Sequence, residues 1–160
     1  MCDPFRHLHM PPELACECLA VFARVEYALK ATGEYAAGGE DGVSANWDRF
    51  ANDIDESFCA VEDERFWSAV DYLLTHPPRK QVLRQGTTIF VNQQIDTNQS
   101  KAQQTLLMIR SVRNNLFHGG KHLPHGEQEA GRNARLVSSA LTVLKHCATM
   151  HPAVQLCYEL

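Results

Sequence analysis

Arg113-Asn114-Asn115-Leu116-Phe117-His118-Gly119-Gly120-Lys121 decides how the chain is read. Upstream of it, Ala102, Leu106, Ile109 and Leu116 recur at helical spacing, so Ser100 to about Phe117 reads as one amphipathic helix. Gly119-Gly120 supplies the left-handed cap that ends such a helix. A permanent cation, an amide and an imidazole therefore fall together at a helix end. On this reading Arg113 lies on the last turn, His118 sits at the cap, and both side chains can turn towards one phosphate.

The segments on either side of that helix extend the helical pattern. Pro11-Pro12 suits a first turn and Glu13 its positive end. Leu14, Cys18, Phe22, Val25 and Leu29 then follow on one face of a long helix ending near Gly33. Gly38-Gly39-Glu40-Asp41-Gly42 reads as a flexible loop, with Ser44 as N-cap of a helix carrying Trp47, Phe50, Ile54 and Phe58. Those four side chains are expected in the core rather than as a stacking platform for bases. A short helix from about Asp63 buries Phe66, Trp67, Val70, Leu73 and Leu74, and His76-Pro77-Pro78 ends it. Thr87-Thr88-Ile89-Phe90-Val91 has strand propensity, but one short strand builds no sheet alone. Residues 79–99 are expected to form an extended loop, a small hairpin against the bundle, or part of a dimer contact. A final long helix with Leu136, Ala140, Val143, Leu144, Cys147 and Met150 on its buried face is expected from near Glu127 to before Pro152. The predicted fold class is all-α: a single domain over residues 1–160, built as a bundle of four to five helices with a short extended segment around residues 79–99.

The closing string resembles a known motif. Arg113, the polar Asn114, three further residues and His118 at a helix end resemble the signature of the HEPN superfamily, and RNNLFHGGK is similar to its bacterial, plasmid- and defence-associated branch. Phe22-Ala23-Arg24-Val25-Glu26-Tyr27-Ala28-Leu29-Lys30 resembles that branch's first long helix, and Pro77-Pro78-Arg79-Lys80-Gln81-Val82-Leu83 its mid-chain connector. With the helix after the motif, the resemblance covers most of the chain. It implies a domain that forms a homodimer and, in many members, a metal-independent endoribonuclease acting as a toxin or phage-defence effector. Other members only bind RNA or nucleotides, or serve as accessory modules in toxin–antitoxin or defence operons. RNA, a second copy of the chain and a cognate antitoxin are the partners so implied, with no cofactor and no metal.

Composition bounds these readings. A chain of 160 residues with 44% hydrophobic content can bury one core. No apolar run approaches a bilayer span, and Met1-Cys2-Asp3-Pro4-Phe5 lacks the features of a signal peptide, so no membrane partner and a cytoplasmic location are expected. Six cysteines in a chain without a secretory leader read as reduced thiols. The net charge of -4 argues against a general nucleic-acid coat. Charge is nevertheless uneven: nine acids and only Arg49 lie between Glu40 and Glu64, whereas six bases and two acids lie between Lys101 and Arg135. The basic side carries the motif.

RNA brings its own nucleophile, the ribose 2′-hydroxyl. An enzyme has only to remove that proton, stabilise charge on the phosphoryl oxygens and protonate the leaving 5′ oxygen. His118 suits proton transfer, and the fork of Arg113 suits two phosphate oxygens. Asn114 adds a donor and an acceptor, able to set the imidazole tautomer or contact RNA. Arg113, His118 and Asn114 are the expected catalytic set. Arg110, Lys121 and His122 are expected phosphate contacts, and Glu26 a carboxylate that orients Arg113 from behind. One histidine is too few for simultaneous acid and base work, which a symmetric dimer would resolve. The residues alone leave open a helix that ends in an arginine and a cap-forming histidine for dipole reasons. Metal binding by His118, His122 and His125 is disfavoured because Gly119-Gly120 and Pro124 interrupt the helix they would need.

Overall fold

The computed structural model describes residues 3–6, 8–119 and 129–160. Helix α1 spans Pro12–Ala31, α2 Trp47–Cys59, α3 Glu64–Thr75, α4 Lys101–Phe117, α5 Arg132–Cys147 and α6 Pro152–Glu159. Between them lie strands β1 (Ala36–Gly39), β2 (Gly42–Ala45), β3 (Lys80–Arg84) and β4 (Thr87–Val91). The expectation of an all-α bundle of four to five helices is therefore corrected. The described residues form six helices and two antiparallel two-stranded sheets, a mixed α/β chain.

Both hairpins turn in two residues. Gly39 pairs with Gly42, leaving Glu40-Asp41 as the turn, and Arg84 pairs with Thr87 across Gln85-Gly86. Gln85 and Gly86 both have positive φ, 48° and 76°, the geometry whose twist matches the flanking strands. The segment expected to be a flexible loop is thus ordered pairing. At Gly38 (φ 131°) a Cβ would run into the carbonyl of Gly42, so that strand requires glycine. An isolated hairpin is marginal in water. Each of these leans on a helix: β1 and β2 on α1, β3 on α4.

The helix ends follow local chemistry. Ser100 and Gln103 form a complete capping box at α4, and Asp55 of α2 accepts the backbone N–H of Ala102 at 3.2 Å. Asn46, not Ser44, caps α2 by accepting from the N–H of Arg49; Ser44 lies in β2 and donates to the carbonyl of Ala37. Asp63 caps α3. The final helical segment is split, with Pro152 starting α6 after a break at residues 148–151. The expected start near Glu127 lies outside the described residues, and α5 begins at Arg132.

One buried cluster runs through all six helices. Helix α5 packs on α1 and α3, α2 packs on α4, and α6 folds back along α1. Phe22, Val25, Leu29, Phe50, Ile54, Phe58, Phe66, Leu73 and Leu144 are all buried, as their spacing predicts. No helix among the described residues is long and apolar enough to cross a membrane.

Candidate functional site

Helix α4 carries the motif to the surface. His118 is its C-cap, with its N–H on the carbonyl of Asn114 at 2.9 Å, and Gly119 takes the left-handed conformation at φ 75°. Arg113 stands four residues before the helix end, half-buried. Its guanidinium lies 5.2 Å from the ring centre of Phe22 on α1 and 5.1 Å from that of Phe117, and Nη1 donates to Asn114 Oδ1 at 3.1 Å. Two rings and an amide thus fix a planar cation at the helix end.

Arg113 and His118 nevertheless open onto different clefts. Arg113 lines a space of about 210 Å³ between α1, the end of β2 and α4, together with Glu26, Trp47 and Arg110. His118 lines a larger space of about 370 Å³ between α4 and the β3–β4 segment, with Arg79, Lys80 and Ser111. Asn114 borders both. The cause is helix geometry. Five residues at 100° each turn Arg113 and His118 roughly 140° apart, whereas Asn114 and His118, four apart, share a side. The Phe117 ring stands between the two groups, 5.1 Å from the Arg113 guanidinium and 5.2 Å from the His118 ring.

The remaining predicted residues divide in the same way. Arg110 shares the Arg113 cleft and is tethered to Asp48 at 3.7 Å. Glu26 also lines that cleft, but its ion pair is with Lys30, one turn along, at 3.7 Å. Lys121, His122 and His125 lie outside the described residues.

Several residues of the site were not singled out from sequence. Asn115 is buried and its Nδ2 donates to the carbonyl of Arg79 at 2.7 Å, pinning the start of the β3–β4 hairpin to α4. Gln93 adds a second tie, donating to the carbonyl of Pro78 at 2.7 Å. Arg79 donates Nη2 to the carbonyl of Phe90 at 2.9 Å, while its buried Nε finds no partner among the described residues. Trp47 and Phe22, expected only as core, meet at 5.0 Å between ring centres and also line the Arg113 cleft. A polar residue at 115, beside the apolar positions 112 and 116, was the signal available for Asn115.

The cysteines stand apart from this chemistry. Burial, then the neighbouring Glu17, pushes the Cys18 thiol up to about 11, and burial raises that of Cys147 further. Both are protonated packing groups at neutral pH. Compared with protein-family models, curated proteins and solved structures, the chain matches none.

Proposed function

We propose that the chain is a HEPN-like, metal-independent endoribonuclease that cleaves RNA by 2′-hydroxyl transesterification, serving as a toxin or phage-defence effector in the cytoplasm. The observation that carries this reading is the end of α4. There a guanidinium held between Phe22 and Phe117 and an exposed imidazole at the helix cap flank a shared amide, each beside an open cleft. The reaction needs a base, an acid and a cation beside the phosphoryl oxygens, and each copy of the chain offers one imidazole and one guanidinium towards that set. A base takes the 2′-hydroxyl proton, O2′ bonds to phosphorus, the P–O5′ bond breaks, and an acid protonates O5′. The products are a 2′,3′-cyclic phosphate and a 5′-hydroxyl. Arg113 offsets charge on the non-bridging oxygens.

Because Arg113 and His118 of one chain line different clefts, the proposal includes a homodimer. Two copies would set the histidine of one beside the arginine of the other and provide separate acid and base. The same separation favours a second reading if the chain acts alone: an RNA- or nucleotide-binding module, or an accessory subunit beside a cognate antitoxin, without cleavage.

The test is cleavage of labelled RNA in EDTA by wild type, Arg113→Ala and His118→Ala, with end-group analysis. Wild type is expected to leave cyclic phosphate, with rates at least about 100-fold lower in His118→Ala. Binding without cutting by wild type transfers the chain to the binding-module reading, and equal cutting by all three removes the motif from the chemistry.

A further inference from the structure

The cleft between α4 and the β3–β4 hairpin gathers positive charge that the motif itself does not bring there. Arg113 is laid against Phe22 and Phe117 and opens on the other side of α4, so within one chain His118 receives no cation from its own motif. Two arrive instead from the connector: Arg79 and Lys80 line the same cleft as His118. Arg79 is half-buried, and three hydrogen bonds fix its place. Its Nη2 donates to the carbonyl of Phe90 at 2.9 Å, its own carbonyl accepts from Asn115, and the Pro78 carbonyl before it accepts from Gln93, the last two at 2.7 Å. All three ties run to neutral groups. Lys30, Arg49, Arg110 and Lys145 each stand beside a carboxylate, whereas among the described residues no carboxylate lines this cleft or pairs with Arg79 or Lys80. Holding a half-buried guanidinium unneutralised is unfavourable, and a bound anion offsets it.

We propose that this cleft seats a phosphodiester of the RNA strand, held by Lys80 and Arg79 beside His118 of the same chain. The inference rests on the RNA reading above and adds a phosphate contact that lies outside α4. Phosphate oxygens take point charge from lysine and N–H groups from guanidinium and amide. Lys80, exposed on the cleft wall, meets the anion directly. Arg79 supplies a charge that needs no reordering, because the Phe90 carbonyl already holds its guanidinium. Asn114 also lines the cleft; its Oδ1 accepts from Arg113, and its amide nitrogen carries two donors suited to a phosphate oxygen. Positioning of the strand is then done within one chain. The homodimer is needed for the second acid–base group and for the arginine.

The test measures binding of a short single-stranded 2′-O-methyl RNA, which has no free 2′-hydroxyl and so cannot be cut by this route. Affinity is read by fluorescence anisotropy from about 50 to about 200 mM salt, where each phosphate contact on a single strand contributes about 0.7 to the slope of log affinity against log salt. Lys80→Gln is expected to lower the slope by about that amount and to weaken binding roughly 5- to 10-fold. Lys80 is exposed, so this substitution leaves the fold intact. Lys101→Gln removes the same charge at the opposite end of α4 and is expected to change neither quantity. Arg79→Gln should act like Lys80→Gln, and Arg79→Lys, which keeps the charge, should keep the slope. An unchanged slope in Lys80→Gln, or an equal fall in Lys101→Gln, would overturn the seat. Equal losses in the two Arg79 variants would make that residue a tie for the hairpin alone and overturn its part. Cleavage of the unmodified strand separates this proposal from the nuclease. Lys80-dependent binding without cutting retains the seat and removes the endonuclease; cutting with a slope independent of Lys80 retains the endonuclease and removes the seat.

Discussion

At the scale of single residues, Asn115 shows how a polar side chain earns a buried position. It is 9% exposed, and its amide satisfies the carbonyl of Arg79, at the point where the chain leaves the two prolines and enters β3. Removing the amide strands a buried acceptor, which costs about 1–3 kcal/mol. Asn115→Ala is therefore expected to lower unfolding stability by that amount in a urea titration, and Asn115→Asp to do no better, because a carboxylate cannot donate. An unchanged midpoint in both variants would show that the tie to the hairpin carries no stability. Arg113 illustrates a different constraint. Its planar group is matched to two rings, so lysine would keep the charge and lose the fit.

At the scale of elements, the β3–β4 hairpin forms one wall of the His118 cleft, with Arg79, Lys80 and Gln81 on it. Its turn depends on Gly86 at φ 76°, where a β-branched side chain is strained. Gly86→Val is expected to raise amide-exchange rates across residues 80–91 while the slow exchange of α1, α4 and α5 is kept. Uniform loss of protection across the helices would instead mean that the hairpin is needed for the whole fold. Helix α4 is secured independently of the hairpin, at its N-terminus by the capping box and Asp55 and towards its C-terminus by the buried side chains of Val112 and Leu116.

At the scale of the whole molecule, a single buried cluster links all six helices, and α5 sits at its centre against α1 and α3. Leu144 of α5 is fully buried, and Leu144→Ala is expected to cost about 2–5 kcal/mol. A shared core also predicts that Trp47 on α2 and Trp67 on α3 unfold together with the helices. Tryptophan fluorescence and far-ultraviolet circular dichroism should give one coincident urea transition, and two separate transitions would divide the core. The sequence by itself determined the elements whose signals are local: the apolar spacing of α1 to α5, the helix starts near Ser100 and Asp63, the proline stop after α3 and the glycine end of α4 all act within a turn or two of chain. The first hairpin was missed because its glycines resemble loop, and its pairing is stabilised by α1, a contact no local pattern records. The tertiary structure alone decided that Glu26, expected beside Arg113, pairs with Lys30, that the prolines and β3 are tied to Asn115, and that His118 faces the hairpin. Those outcomes depend on which helix faces meet across the core, and segments far apart in the chain meet only once the core has packed.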